Sequence, residues 1–257
     1  MTVASDQTGW EPRFIDIEAR LTEFIATFRA GCRVSSLIET IPNGVLNADF
    51  YFPSDDVIAE LKSLEADTAE PESYARRVAA CYKHLGYSAS DFFGWLFRGE
   101  PMPDPVARRF FSVISRSVVR TIFKANKQIR STKQLLGKPD ARGLVLLAND
   151  SNFGFNPAQM VAILCEAFRK LAPCHTDCIT YFAPNVYHDR GDGIAYSVWI
   201  PIYNVGSENF SKFVNALGSA WGDQQDTLGD PYVYREASDD LFDKNAFAQP
   251  ITKFKKS

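Results

Sequence analysis

The sequence predicts an α/β fold, and three observations carry that prediction. Some segments repeat apolar residues at helical spacing, others are short apolar runs closed by turn residues, and the two kinds interleave without an internal repeat. At 257 residues the chain is long enough for a sizeable core, and 46% hydrophobic with 23% charged residues is ordinary for a water-soluble domain. One domain spanning residues 1–257 is expected, with a helical insertion at about 66–104.

Residues 12–30, PRFIDIEARLTEFIATFRA, place Phe14, Ile17, Leu21, Phe24, Ile25 and Phe28 on one helical stripe, and the glycine of the following AGC ends it. RVSSLIETIPNGV holds a short strand before a Pro-Asn-Gly turn, and NADFYFPSDDVIAELKSLE then reads as a hairpin. Residues 71–100 are helical material broken at LGYSAS and RGEPMPDP. A single long helix is expected over roughly 105–136, ended by Gly137. ARGLVLLAND, 141–150, suits a buried strand, and NPAQMVAILCEAFRKL a helix with Asn156 as N-cap and Pro157 in first position. DCITYFAPNVYH and GIAYSVWIPIYN flank DRGDG as a strand pair; SENFSKFVNALGSAW is a further helix, and the polar tail from 223 onward is expected to loop over the surface.

Five cysteines, an odd and scattered set, argue for reduced thiols instead of a disulfide framework. No apolar run reaches the length of about eighteen residues that a membrane span needs, and the N-terminus lacks the regions of a signal peptide. A cytoplasmic protein with no membrane partner is the expectation. The net charge of −3 excludes a polycationic surface, but its distribution is uneven. From Pro105 to Pro139 nine basic residues occur with no acidic one, so the remainder carries −12.

The hairpin carries the chemistry. If PSDD, 53–56, is its loop, Phe52 pairs with Val57, Phe50 with Ala59 and Ala48 with Leu61, an apolar face throughout. On the other face Asp49 then stands opposite Glu60, and Asn47 opposite Lys62. Directly opposed side chains lie about 4.5–5.5 Å apart at Cβ, so the two carboxylates repel and one pKa must rise. A divalent cation removes the conflict, because Mg²⁺ takes hard oxygen ligands from one or two carboxylates and substrate phosphate. Lys62 can then position an attacking water or stabilise phosphoryl charge. The competing reading is a solvated hairpin face.

NADF followed by VIAELK resembles the bipartite signature of the PD-(D/E)XK nuclease superfamily, with Asn-Ala-Asp where the family usually has Pro-Asp. The chain order is similar over roughly residues 12–62 and 105–183. The resemblance implies a restriction-endonuclease-like mixed central sheet flanked by helices, and hydrolysis of phosphodiester bonds in DNA or RNA with Mg²⁺ or Mn²⁺. It implies Asp49 and Glu60 as metal ligands and Lys62 as a catalytic residue, in a setting such as defence, restriction or repair. A homodimer or a partner protein stays open. The alternative is a non-catalytic nucleic-acid- or protein-binding protein that retains the fold.

Such nucleases often add an acid from the first helix. Counted from Phe14 at about 100° per residue, Glu18 falls at about 40°, beside Ile25 and Leu21, whereas Glu23 falls opposite the stripe. Glu18 is therefore the candidate third catalytic and metal-binding acid. On the 105–136 helix, Phe111, Ile114, Val118, Ile122, Ala125 and Ile129 share one sector, and Arg116, Arg120, Lys124 and Lys127 lie on the opposite, cationic one, either a surface able to track a phosphate backbone or a solvated face that pairs with the acidic remainder of the chain. Gln128, at the seam, resembles a polar residue the superfamily places near the metal.

Other motifs carry less. CHTDC, with Cys174, His175, Asp177 and Cys178, lacks a second ligand pair for zinc. DRGDG has the glycines of a phosphate loop but not its strand–glycines–helix arrangement, and suits a hairpin turn. Phe92, Phe93, Trp95 and Phe97 can stack on bases, but their spacing suits packing of the inserted helices.

Overall fold

A computed structural model describes residues 15–38, 45–64, 76, 79–80, 82–98, 100–152, 155–186, 188–189 and 195–227. Helix α1 (Ile17–Thr27) is capped by Asp16, whose carboxylate accepts the Ala19 N–H, and it buries Ile17, Leu21, Phe24 and Ile25. The chain then turns at Gly31, where a Cβ would stand 2.7 Å from Ile25 and 2.8 Å from Phe52, so only glycine fits. Strand β1 (Cys32–Arg33) follows, shorter than the expected element and continued by a turn of 3₁₀ helix over Val34–Ser36.

Strands β2 (Phe50–Phe52) and β3 (Val57–Leu64) form the expected hairpin around residues 53–56. Phe52 pairs with Val57 and Phe50 with Ala59, in the predicted register. One expectation fails here. The ladder stops at Phe50, so Ala48, Asp49 and Asn47 have no strand partners across from Leu61, Glu60 and Lys62. Asp49 instead uses its own carboxylate to accept the Leu61 N–H at 2.9 Å. A side chain has taken the place of the next backbone bond.

Helix α2 (Ala89–Phe97) has a capping box between Ser88 and Asp91, and α3 (Asp104–Ile114) follows. The single helix expected over 105–136 is corrected to two: α3 ends at Ser115, and α4 (Arg116–Leu135) starts anew. The chain divides into two compact units, residues 67–120 and the remainder. In the smaller unit, Tyr82, Phe92 and Val106 form a core with Trp95, Met102 and Phe110. Trp95 and Phe92 therefore pack, as their spacing suggested.

In the larger unit β4 (Arg142–Asn149) lies parallel to β3. Helix α5 (Pro157–Lys170) starts with the expected Asn156 cap and Pro157. Strands β5 (Cys178–Phe182) and β8 (Trp199–Tyr203) are the expected antiparallel pair, with β6 (His188–Asp189) and β7 (Ala195–Tyr196) as a separate short ladder between them. Helix α6 (Ser211–Thr227) runs on past residue 223 and buries Gln225, which corrects the expected start of the tail; residues 228–257 lie outside the described residues.

The result is a six-stranded mixed open sheet in the order β1-β2-β3-β4-β5-β8, with helices. α1 and α6 supply Leu21, Ile25, Val214 and Leu217 to a core against Phe50, Phe52, Val57, Ala59, Leu144 and Leu146. Next to the opposite face, Ile129 of α4 is 3.0 Å from where a Cβ on Gly143 would stand. The Asp177 carboxylate ties β4 to β5 by accepting from the Gly143 N–H and from Arg142. That motif, CHTDC, thus has a structural use: Asp177 is engaged by Arg142 and Ser207, and Cys178 is buried. The described cysteines, Cys32, Cys165, Cys174 and Cys178, are free thiols.

Candidate functional site

Because β2 peels away after Phe50, β3 has a strand neighbour on one side only from Glu60 onward. A cleft of about 370 Å³ opens there. Its lining brings together Asp49, Glu60, Lys62, Glu18 and Gln128, all five residues that the sequence nominated as catalytic. They come from four places: the bend before β2, strand β3, the first turn of α1 and the middle of α4.

Glu60 is the unusual member. It is 1% exposed, and its Oε2 has no hydrogen-bond partner. Lys62, whose side chain is 18% exposed, donates through Nζ to the other oxygen, Oε1. Burial raises the Glu60 pKa to about 8, repulsion from Asp49 adds to the rise, and Lys62 only partly offsets it. Asp49 is also raised, chiefly by burial, against the lowering effects of the Leu61 N–H and of Lys62. The negative charge of Asp49 thus favours the protonated form of Glu60. This is the like-charge conflict anticipated from the hairpin, reached by a different backbone path.

The other nominated residues sit around that pair. Gln128 donates through Nε2 to the Asn47 carbonyl at 3.0 Å, which fixes the chain just ahead of Asp49, while its Oε1 is buried without a partner. Glu18 is 74% exposed on its side chain and meets Arg33 at 3.4 Å. Arg116, Arg120, Lys124 and Lys127 are exposed along α4 and none of them lines the cleft.

Sequence reasoning missed Asp16, Arg33, Ser63 and Asp150, the remaining polar residues of the lining. Asp150 follows β4 and is buried, with its Oδ1 accepting from Asn185 at 2.7 Å. Asn185 also brackets Ile15, accepting its N–H and donating to its carbonyl, both at 2.8 Å. The entry to α1 is thereby pinned to the end of β4. The pattern of a turn acid closing an apolar strand, ND after LVLLA, was the only available signal.

Five carboxylates and two cations, Arg33 and Lys62, therefore face this cleft. Such a balance favours a bound cation. Among the described residues no group of three or more His, Cys, Asp or Glu is close enough to enclose a metal ion. The donor set is instead the two-carboxylate kind, and the unpartnered buried Oε2 of Glu60 is a hard oxygen without a protein donor. Asp49 and Glu60 fit a divalent cation on that chemistry. Compared with protein-family models, curated proteins and solved structures, the chain matches none. No helix among the described residues is long and apolar enough to cross a membrane.

Proposed function

We propose that the protein is a metal-dependent nuclease of the restriction-endonuclease-like class, hydrolysing phosphodiester bonds in DNA or RNA. The observation that carries this reading is the meeting of Asp49, Glu60 and Lys62 in one cleft, with a buried carboxylate oxygen left unpartnered. The order of elements supports it: a helix, an antiparallel hairpin bearing the acids, then a helix leading to a strand parallel to the hairpin's second arm.

Asp49 and Glu60 would hold Mg²⁺ or Mn²⁺, which when bound neutralises phosphoryl charge and lowers the pKa of an attacking water. The chain's own residues do the rest. Asp49 is oriented by the Leu61 N–H, and the Gln128 amide fixes the backbone before it. Lys62 is delivered to the same point by the two-residue period of β3. Lys62, paired with Glu60 on β3, would position the attacking water or stabilise the developing negative charge. The exposed cations of α4 supply sequence-independent attraction for the phosphate backbone.

Incubation of the protein with plasmid DNA, single-stranded DNA and RNA in Mg²⁺ or Mn²⁺ tests this directly. Cleavage should fall more than about a thousandfold in Asp49→Ala and about a hundredfold in Lys62→Ala. Cleavage that survives both substitutions contradicts the assignment. A folded protein without Mn²⁺ affinity, inert on every nucleic acid, would be a non-catalytic binding protein instead.

A further inference from the structure

Arg33 stands at the cleft on β1, an edge strand of the sheet. Its guanidinium receives three restraints. One nitrogen donates to Thr22 Oγ1 at 2.8 Å and meets Glu18 Oε1 at 3.4 Å, and the charged carbon lies 6.0 Å from the centre of the Phe50 ring. Thr22 and Glu18 are one turn apart on α1, so a single helical face holds the side chain in place. Yet Arg33 remains 46% exposed, with donors to spare.

We infer that Arg33 is the residue by which the cleft grips a phosphate of its nucleic-acid substrate, and that Glu18 is a positioning residue that tethers Arg33 instead of ligating the cation. This rests on the nuclease reading above. Arginine presents a rigid fork of donors matched to phosphate oxygens, and a tethered fork loses less freedom on binding than a free one. Lys62, the other cation of the cleft, is engaged by Glu60, so Arg33 is the cation there held by an exposed pair and ready to exchange a carboxylate for a phosphate. Glu18 meanwhile points its carboxylate at Arg33 and is largely in solvent, unlike the buried Glu60.

The test is a double-mutant cycle read by two measurements: Mn²⁺ affinity by calorimetry, and KM against kcat for DNA cleavage. Arg33→Ala should raise KM about tenfold and reduce the salt slope of binding by about one, with Mn²⁺ affinity unchanged within about twofold. Arg33→Lys should restore part of the loss. Glu18→Gln should raise KM by a smaller factor, leave Mn²⁺ affinity unchanged, and add nothing in the Arg33→Ala background. The inference is overturned if Glu18→Gln weakens Mn²⁺ binding tenfold or more, if the two effects simply multiply, or if Arg33→Ala leaves KM unchanged while the wild type cleaves. A wild type that neither binds Mn²⁺ nor cleaves overturns the nuclease reading itself, and the inference with it.

Discussion

Strands β3 and β4 run side by side, parallel, for eight residues each, and they differ in what they bury. From Gly143 to Asn149, β4 is buried throughout, and its side chains are apolar up to the terminal Asn149. β3 begins the same way with Val57, Ile58 and Ala59, then places Glu60 beside Val145 and Lys62 beside Leu147. Glu60 and Val145 are 1% and 0% exposed, so one environment receives a carboxyl group and its neighbour an isopropyl group. A buried carboxylate is costly unless it is protonated, paired or metal-bound, whereas the valine lowers the free energy of folding. The contrast teaches that β4 is built for stability and that the middle of β3 is not. Such a cost, concentrated at the stretch where β3 lacks a second strand neighbour, is why the cleft is the candidate functional site.

The sharpest way to break the comparison is to exchange the two roles. Val145→Glu puts an uncompensated carboxyl into the stable strand and should cost about 3–5 kcal/mol, read by urea unfolding. If it is tolerated within about 1 kcal/mol, the two positions do not differ as described. The converse, Glu60→Leu, should stabilise the metal-free protein by about 1–3 kcal/mol while eliminating turnover, because it makes β3 resemble β4. A destabilised Glu60→Leu protein would mean that the Glu60–Lys62 pair is structural.

A third effect is the pH dependence of the metal-free protein. The native Glu60 value, about 8, lies above its ordinary 4.5, so the folded state holds more protons than the unfolded state between those values. That stability is complete below about 4.5 and is lost as pH rises through about 8. Asp49 is shifted in the same direction. The Tm should therefore fall by something on the order of 5 °C from pH 5 to pH 8.5, and Glu60→Leu should flatten most of the slope. Smallest of all, Lys124→Ala and Lys127→Ala should each lower the salt slope of nucleic-acid binding by about one without altering the metal-free Tm by more than about a degree. Loss of turnover at saturating substrate in either variant would place those lysines in the cleft, contrary to the geometry.

The fold was readable where short-range chemistry decides it. The PSDD loop fixed the Phe52–Val57 and Phe50–Ala59 register, and Asn156-Pro157 announced α5. The break at Ser115 was not readable, because neither proline nor glycine marks it and the apolar spacing continues through it. At the site, hairpin alternation and the signature resemblance nominated Asp49, Glu60 and Lys62, and the structure brings all three to one cleft. Their true geometry was not readable, since whether the ladder continues past Phe50 depends on the Asp49 carboxylate capturing the Leu61 N–H. Arg33 and Asp150 were missed for a related reason: each reaches the cleft through partners distant in sequence, Phe50 and Thr22 for one, Asn185 for the other. No local pattern encodes such contacts.

Everything turns on whether Asp49 and Glu60 act together on a cation. Calorimetric titration of the folded protein with Mn²⁺ at pH 8, beside Asp49→Asn and Glu60→Gln, addresses this without any assumption about substrate. The wild type should bind Mn²⁺ with release of a proton from the pair, and each variant should bind at least about tenfold more weakly. Wild-type affinity retained in both variants, or no Mn²⁺ binding by a folded wild type, would contradict that joint action.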